Sequence, residues 1–183
     1  MKKPRPKKCK YCKNQFLPYT SLQQVCSIQC SIEYGNIKAK RKAKKEYLEK
    51  KRRWKEENMT RQDWIKELQR VFNQFIRLRD KNKGCVSCGA TLVSRKYDAG
   101  HFYPTTYSGL RFNEKNVHGQ CVPCNRYKHS NPHEYRKRIT NRISKEDLQW
   151  LDDNRHRKLS LSITEIKELI KHYKLRVKHH ANK

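Results

Sequence analysis

The sequence predicts an α+β chain, mainly helical, whose small β-hairpin core has to be held together by bound metal. Three observations predict it. Hydrophobic residues make up only 34% of the 183 residues and charged residues another 34%, so an apolar core is thin and needs a staple. Eight cysteines fall into two quartets of close pairs, Cys9, Cys12, Cys26, Cys30 and Cys85, Cys88, Cys121, Cys124. That spacing suits four thiolates around a tetrahedral Zn²⁺. Most of the remaining chain carries helical periodicity or helix-forming composition between clear caps.

Residues 1–35 form the first module. Cys9-Lys-Tyr-Cys12 and Cys26-Ser-Ile-Gln-Cys30 are separated by thirteen residues, which reads as a knuckle, a short hairpin through Phe16 and Val25, and a helix starting near Ser27. Residues 36–58 have few apolar positions and no Gly or Pro, a strongly basic helical linker with a weak apolar stripe. Such a segment is either a solvated spacer or an arm along a DNA backbone, where Lys and Arg gain affinity by releasing counterions.

Residues 59–143 hold the second quartet. Thr60 and Asp63 make a capping box, and Trp64, Leu68, Val71, Phe72, Phe75 and Ile76 then recur at helical spacing as core residues. Gly84 stops that helix. Between Cys88 and Cys121 lie thirty-two residues, too many for a finger loop without structure of its own. The segments SRKYDAGHFYP and RFNEKNVHGQ fit a β-hairpin followed by a helix, with zinc clamping the base of the hairpin to the helix start. HEYRKRITNRI reads as a basic amphipathic helix. In residues 144–183, Ser144 with Asp147 and Ser162 with Glu165 open two more helices. The last places Ile163, Ile166, Leu169, Ile170 and Tyr173 on one face, suited to packing or to dimerisation. The end, KHHANK, reads as frayed, with His179 and His180 solvated.

A net charge of +28 repels itself unless a polyanion screens it, which makes nucleic acid the expected partner. A membrane is the weaker reading, because no run of about 18 apolar residues exists and no basic helix has a broad apolar face. The start MKKPRPKKC has charge but no apolar stretch. The expectation is therefore an intracellular, cytoplasmic protein with reduced, metal-binding cysteines rather than disulfides.

Polar groups cluster around the second quartet: Asp98, His101, Asn116, His118, Asn125 and Lys128. Phosphodiester hydrolysis needs a base that is neutral near pH 7, and His101 at the end of the first hairpin strand suits it. Asn116 would fix the ring by a hydrogen bond. The phosphate and leaving oxygen need positive charge, most simply Mg²⁺ (or Mn²⁺) held by Asp98 and Asn125. Lys128 or Arg126 would steady a neighbouring phosphate. A zinc closed by four thiolates has no open position for this chemistry. Phe102, Tyr103 and Tyr107 would stack on unpaired bases or pack the core.

This pattern resembles the HNH, or ββα-metal, nucleases, in which a His ends the first strand, an Asn lies on the loop and a third polar residue follows a CxxC. The matching positions are His101, Asn116 and Asn125. An Asn directly after the CxxC is similar to phage junction-resolving endonucleases. One position departs: that family sets a metal-binding Asp immediately before the His, where this chain has Gly100. Asp98 stands three before His101, on the opposite face of a regular strand. Either a bulge at Ala99-Gly100 brings them together, or Asp98 is not the ligand and His118 replaces it.

A resemblance over most of the chain is carried by the N-terminal CxxC and CxxxC, the basic helix, YDAGHFYPTT and LRFNEKNVHGQCVPCNRYKHSN. These are similar in order and wording to the NinG (Rap) family of lambda-like phages. That resemblance implies a recombination endonuclease acting on branched DNA, Holliday junctions or D-loops, in a phage-infected or prophage-carrying host, beside phage recombination proteins. Two symmetric cuts at a four-way junction imply a two-fold homodimer. The competing expectation is a non-enzymatic, zinc-containing DNA-binding accessory protein, which His101→Ala distinguishes: it abolishes cutting in the first case and changes little in the second.

Overall fold

The computed structural model describes residues 5–93 and 96–181, and divides the chain into two compact units meeting between Met59 and Thr60. The first unit opens with a two-residue ladder, β1 (Lys7–Lys8) antiparallel to β2 (Gln15–Phe16), with Lys7 opposite Phe16. The expected hairpin partner Val25 is not a strand residue. The turn after the first cysteine pair is too tight to reach it: Lys13 takes a left-handed φ of 68°, and the Cys9 N–H donates to the Asn14 carbonyl at 2.8 Å. The segment through Gln24 instead lies alongside, its carbonyl accepting from the Lys10 N–H at 2.9 Å.

Helix α1 (Ile28–Glu57) starts where the sequence places it, with Ser27 Oγ accepting from the Cys30 N–H at 3.2 Å. The finger's helix and the basic segment prove to be one unbroken element of 30 residues. Cys30 is its only buried side chain. Without an apolar face, its stability rests on propensity and on i,i+4 pairs such as Lys42–Glu46 and Arg52–Glu56. These are solvent-exposed and 4.0 Å apart, so water screens them and each adds little.

In the second unit, Thr60 and Asp63 form the expected capping box of α2 (Arg61–Asp80). All six expected core residues of that helix are buried. Two strands follow, β3 (Tyr97–His101) and β4 (Val117–Cys121), paired antiparallel with Asp98 opposite Gln120 and His101 opposite Val117. After one wide π-type turn at Pro123–Tyr127 come α3 (Pro132–Ile139), α4 (Lys145–Asp153) and α5 (Ile163–Ala181). The order strand, strand, helix agrees with the sequence reading, although Ser94 and Arg95 of the first strand segment lie outside the described residues.

Helix α5 packs along α2, the most extensive contact between elements. Tyr173 meets the Phe72 ring edge-on at 5.0 Å, and Phe72 meets Phe112 at 5.8 Å. The apolar face of α5 is thus used within the unit: Ile166, Ile170 and Tyr173 are buried, while Ile163 at its start stays 40% exposed. The helix continues through His179 and His180 to Ala181 rather than fraying, and His180 lies against Phe75 at 5.7 Å. Asn182 and Lys183 of that expected frayed end lie outside the described residues. Phe72 is fully buried at the centre of this aromatic set. Phe72→Ala is expected to lower the unfolding free energy by about 3–5 kcal/mol, measured by denaturant titration of the zinc-loaded chain.

Candidate functional site

Both cysteine quartets come together. The ligand atoms of Cys9, Cys12, Cys26 and Cys30, and separately of Cys85, Cys88, Cys121 and Cys124, lie within 4.8 Å of one another. A ZnS₄ tetrahedron with Zn–S of about 2.3 Å has edges of about 3.8 Å. The Sγ atoms of Cys12 and Cys26 are 3.5 Å apart and those of Cys88 and Cys121 3.7 Å. The chemistry of the thiols agrees. Burial alone would raise Cys9, yet the N–H groups of Cys26, Cys12 and Tyr11 pull it down to about 6. Cys26, hydrogen-bonded to Cys30 and Cys12, is pushed up to about 12. In the second quartet Cys85 is lowered, against its burial, by N–H groups of Cys121, Cys88 and Ser87, whereas burial pushes Cys121 up to about 12. Four thiols this close ionise together only when a cation shares them, so both sites fit structural Zn²⁺.

The second quartet ties the Cys85 turn to the end of β4 and the turn after it. Three consecutive left-handed residues, His129, Ser130 and Asn131 with φ of 46°, 68° and 43°, then fold the chain back. This returns the Ser130 carbonyl to Gln120 Nε2, at 2.7 Å, and the Asn131 amide to Cys124 Sγ, at 3.7 Å.

The hairpin sorts the polar residues onto two faces. Its ladder runs in register from Tyr97–Cys121 to His101–Val117 without a bulge, so His101 shares a face with Ala99 and Val117, and Asp98 shares the other with Gly100, His118 and Gln120. The bulge that would unite Asp98 with His101 does not form. The packing of Gly100 also explains the missing Asp. A Cβ there would stand 2.1 Å from Gln120 Oε1 and 2.9 Å from Gln120 Cβ, so no carboxylate fits without displacing a fully buried side chain.

His101 is held by a backbone carbonyl. Its Nε2 is 3.0 Å from the Arg111 oxygen. A carbonyl only accepts, so Nε2 carries the hydrogen and Nδ1 keeps its lone pair. Burial lowers the pKa of the ring, against the Arg111 carbonyl and with the help of the Arg111 charge, so His101 is neutral at pH 7. Arg111 is itself anchored through Nε to Gln69 of α2 at 2.6 Å. Asn116 does not orient the ring, contrary to the sequence expectation. It is fully buried, its Nδ2 donating to the carbonyls of Tyr103 and Leu110 at 3.0 and 3.1 Å and its Oδ1 accepting from the Tyr103 N–H at 2.8 Å. Asn116 therefore folds the loop between the strands, and that loop delivers the Arg111 carbonyl.

Asp98 does meet Asn125. Its Oδ2 accepts from Asn125 Nδ2 at 3.0 Å, while Arg126 binds both carboxylate oxygens at 2.8 and 2.9 Å. The Arg126 hydrogen bonds, opposed by partial burial and aided by Asn125, hold its carboxyl below the usual range. Lys128 is exposed at the end of the wide turn. His118, the alternative metal ligand, is engaged elsewhere: 4% exposed, it accepts on Nδ1 from Arg79 at 3.1 Å and donates from Nε2 to the Lys115 carbonyl at 3.0 Å. Burial, with the Arg79 charge, brings it down to about 4. It cannot serve as a ligand beside Asp98 while both nitrogens are held.

Sequence reasoning missed the groups that position the site. Buried Asp80 receives the Gly119 N–H at 2.8 Å and Arg79 on both oxygens at 2.8 Å, and Arg79 reaches on to the Val117 carbonyl at 2.8 Å. The one signal available was an Arg-Asp pair at the polar end of an otherwise apolar helical stripe. Of the aromatic trio after His101, Phe102 packs against Tyr135 at 5.4 Å and Tyr103 bonds to Asp152 through its hydroxyl.

The family model described as "Bacteriophage Lambda NinG protein" matches residues 1–183. A protein ninG of Escherichia phage lambda is 36% identical over 195 aligned residues, covering 97% of this chain and 95% of the relative. That of Escherichia phage 933W is 38% identical, covering 86% and 85%, and that of Salmonella phage P22 is 44% identical over about half of each chain, 51% and 47%. No solved structure matches.

The neutral state of His118 carries a pH signature. Its folded pKa, about 4, lies below the 6.5 of free imidazole, so the unfolded chain binds the extra proton between these values. The stabilisation is whole above pH 6.5 and is lost as pH falls towards 4, to a limit of about 3 kcal/mol. Denaturant titrations across pH 7 to 5 are expected to show a smaller slope for His118→Gln than for the native chain. The difference between the two cancels losses common to both, zinc release included.

Proposed function

Because the chain belongs to the NinG family of phage proteins, we propose that it is a DNA endonuclease of the HNH type, acting on branched recombination intermediates such as four-way junctions or D-loops. The observation that carries this reading is the seat of His101. A neutral imidazole closes the first strand of a cysteine-tied hairpin, with Nε2–H fixed on the Arg111 carbonyl and the basic Nδ1 left over. His118, the buried histidine of the same hairpin, has both nitrogens held, whereas half-buried His101 keeps one spare. In the reaction, Nδ1 takes a proton from a water whose oxygen forms the new bond to phosphorus. The bond to the 3′-oxygen breaks, leaving 5′-phosphate and 3′-hydroxyl ends. The net charge of +28 draws the polyanion to the chain.

The oxygens of Asp98 and Asn125 are the donor set for Mg²⁺ or Mn²⁺, hard ligands of the right kind; the two side chains already meet, with Asn125 Nδ2 3.0 Å from Asp98 Oδ2, and the amide has to turn over to present its oxygen. When bound there, the ion would supply positive charge at the phosphate and leaving oxygen. Arg126 has to release the carboxylate for this, and it is exposed enough to swing away, with a 63% accessible side chain. Lys128, exposed on the same turn, is the residue we assign to an adjacent phosphate. A homodimer would place two such sites at a junction, and phage recombination proteins are the natural co-workers of this activity.

The placement of Asp98 and His101 on opposite hairpin faces favours a second reading, a zinc-containing DNA-binding accessory protein without catalysis. A gel assay of zinc-loaded protein on labelled four-way junction and matched linear duplex, with and without Mg²⁺, separates the two. Paired Mg²⁺-dependent nicks at the branch, absent in His101→Ala although it still binds, are expected. A junction shifted but uncut in both proteins would leave only the accessory role. Since burial lowers the pKa of His101, cleavage is also expected to persist below pH 6.5, with the acidic fall of the rate lying under that of free imidazole.

A further inference from the structure

A hollow of about 490 Å³ lies between the Cys85 turn and the end of α3, lined by Lys83, Cys85, Gly89, Arg138, Asn141 and Arg142 among others. Its described lining carries three cations and no carboxylate. Arg142 Nη2 donates to the Lys83 and Gly84 carbonyls, the second at 3.1 Å, so its guanidinium is held at the rim before any ligand arrives. Gly89, at a left-handed φ of 76°, leaves the notch that Arg138 fills: a Cβ there would lie 2.8 Å from Arg138 Nη1. Lys83 stands 3.5 Å from Asp80, but that carboxylate is already taken by Arg79 and the Gly119 N–H. Among the described residues Arg138 has no acidic partner.

The neighbouring hollow, about 580 Å³, shares Lys83, Asn141 and Arg142 but carries Glu114 and Asp147 on its lining. Asp147 pairs with Lys115 and Glu114 with Arg176, so an anion there would meet two carboxylates as well as cations. Of the two hollows, the one at the Cys85 end is lined by cations without a carboxylate. Guanidinium groups without an acidic partner in a concave surface suit an oxyanion with two or more acceptor oxygens.

We infer that this hollow is a second DNA contact, a seat for one backbone phosphodiester held by Arg138 and Arg142 with Asn141 beside them. It rests on the reading of DNA as the partner, and its lining includes neither His101 nor the Asp98 cluster. It makes grip on DNA depend on the second cysteine quartet, because Cys85 and Gly89 form its wall. The competing role for these cations is to offset the double negative charge of a zinc tetrathiolate, and the two roles predict different losses.

The test is fluorescence anisotropy of the full zinc-loaded chain on a labelled four-way junction and a matched duplex, without Mg²⁺, across a salt series. Arg138→Ala is compared with Lys137→Ala, the adjacent cation that pairs with Glu134 and lies outside the hollow. Arg138→Ala is expected to weaken binding about three- to tenfold and to reduce the slope of log affinity against log salt by about one, with zinc content and melting temperature unchanged. Lys137→Ala is expected to change the slope by much less. Equal losses in the two variants would overturn the seat in favour of a diffuse field. Loss of zinc or of thermal stability in Arg138→Ala, with the salt slope retained, would overturn it in favour of charge compensation. Tighter binding to a matched RNA duplex with the same Arg138 dependence would overturn the assignment to DNA. Failure of the native chain to bind any DNA at low salt would instead overturn the proposed function itself.

Discussion

The Asp80 carboxylate, 1% exposed at the end of α2, is the interaction on which the rest of the second unit depends. It accepts from the Gly119 N–H in the middle of β4 and from Arg79 on both oxygens. Arg79 in turn holds the Val117 and Glu114 carbonyls and His118. A two-stranded hairpin is marginal alone, and this one gains its place by being bonded to the helix that carries the core. Burial works to neutralise Asp80, and the Arg79 hydrogen bonds and charge with the Gly119 N–H overcome it and keep the carboxyl low. Removing either partner strands a buried charge, at a cost of about 3–5 kcal/mol. That is a large part of what a chain with so small a core has to spare.

The cysteine quartets act on top of this arrangement. Asp80 fixes β4 to α2, and the second quartet fixes the far end of β4 to the Cys85 turn and to the turn carrying Asn125 and Arg126. Chain order thereby becomes spatial proximity: residues 27 positions apart, Asp98 and Asn125, meet at hydrogen-bond distance. The left-handed run at 129–131 completes the link by giving Gln120 Nε2 a carbonyl. Gln120 Oε1 is left without a hydrogen-bond partner, pressed against Gly100, a cost tolerated because the same side chain closes the gap between hairpin and quartet.

How much of this was legible in the sequence follows from the range of each interaction. The capping boxes at Thr60 and Ser162, the apolar stripe of α2 and both quartets were readable, because their determinants lie within one helical turn or in a cysteine spacing. The first hairpin's partner was not, since a left-handed Lys13 gives no residue-type signal. Nor was the true holder of His101, a main-chain carbonyl supplied by a loop that buried Asn116 folds. The sequence points to Asn116 as the residue that orients His101, but its role depends on where the amide points, and that is into the loop backbone. His118 was misjudged as a ligand because its partners, Arg79 and the Lys115 carbonyl, become neighbours only in three dimensions. Gly100 was read as a departure from a motif, whereas its packing against Gln120 makes it a requirement of this hairpin.

That requirement bears directly on the proposed chemistry. With position 100 closed to any side chain, the only carboxylate on β3 is Asp98, on the face opposite His101. A phosphate acted on by both groups therefore has to lie across the edge of β3 rather than flat against either face. The strand ends at His101, so its side chain stands at the rim where a scissile bond crossing that edge would pass. In the proposed reaction, groups divided by a strand edge would put the base, His101, and a cation held by Asp98 on opposite sides of one phosphorus. In-line displacement asks for that disposition, with the attacking and leaving oxygens on opposite sides.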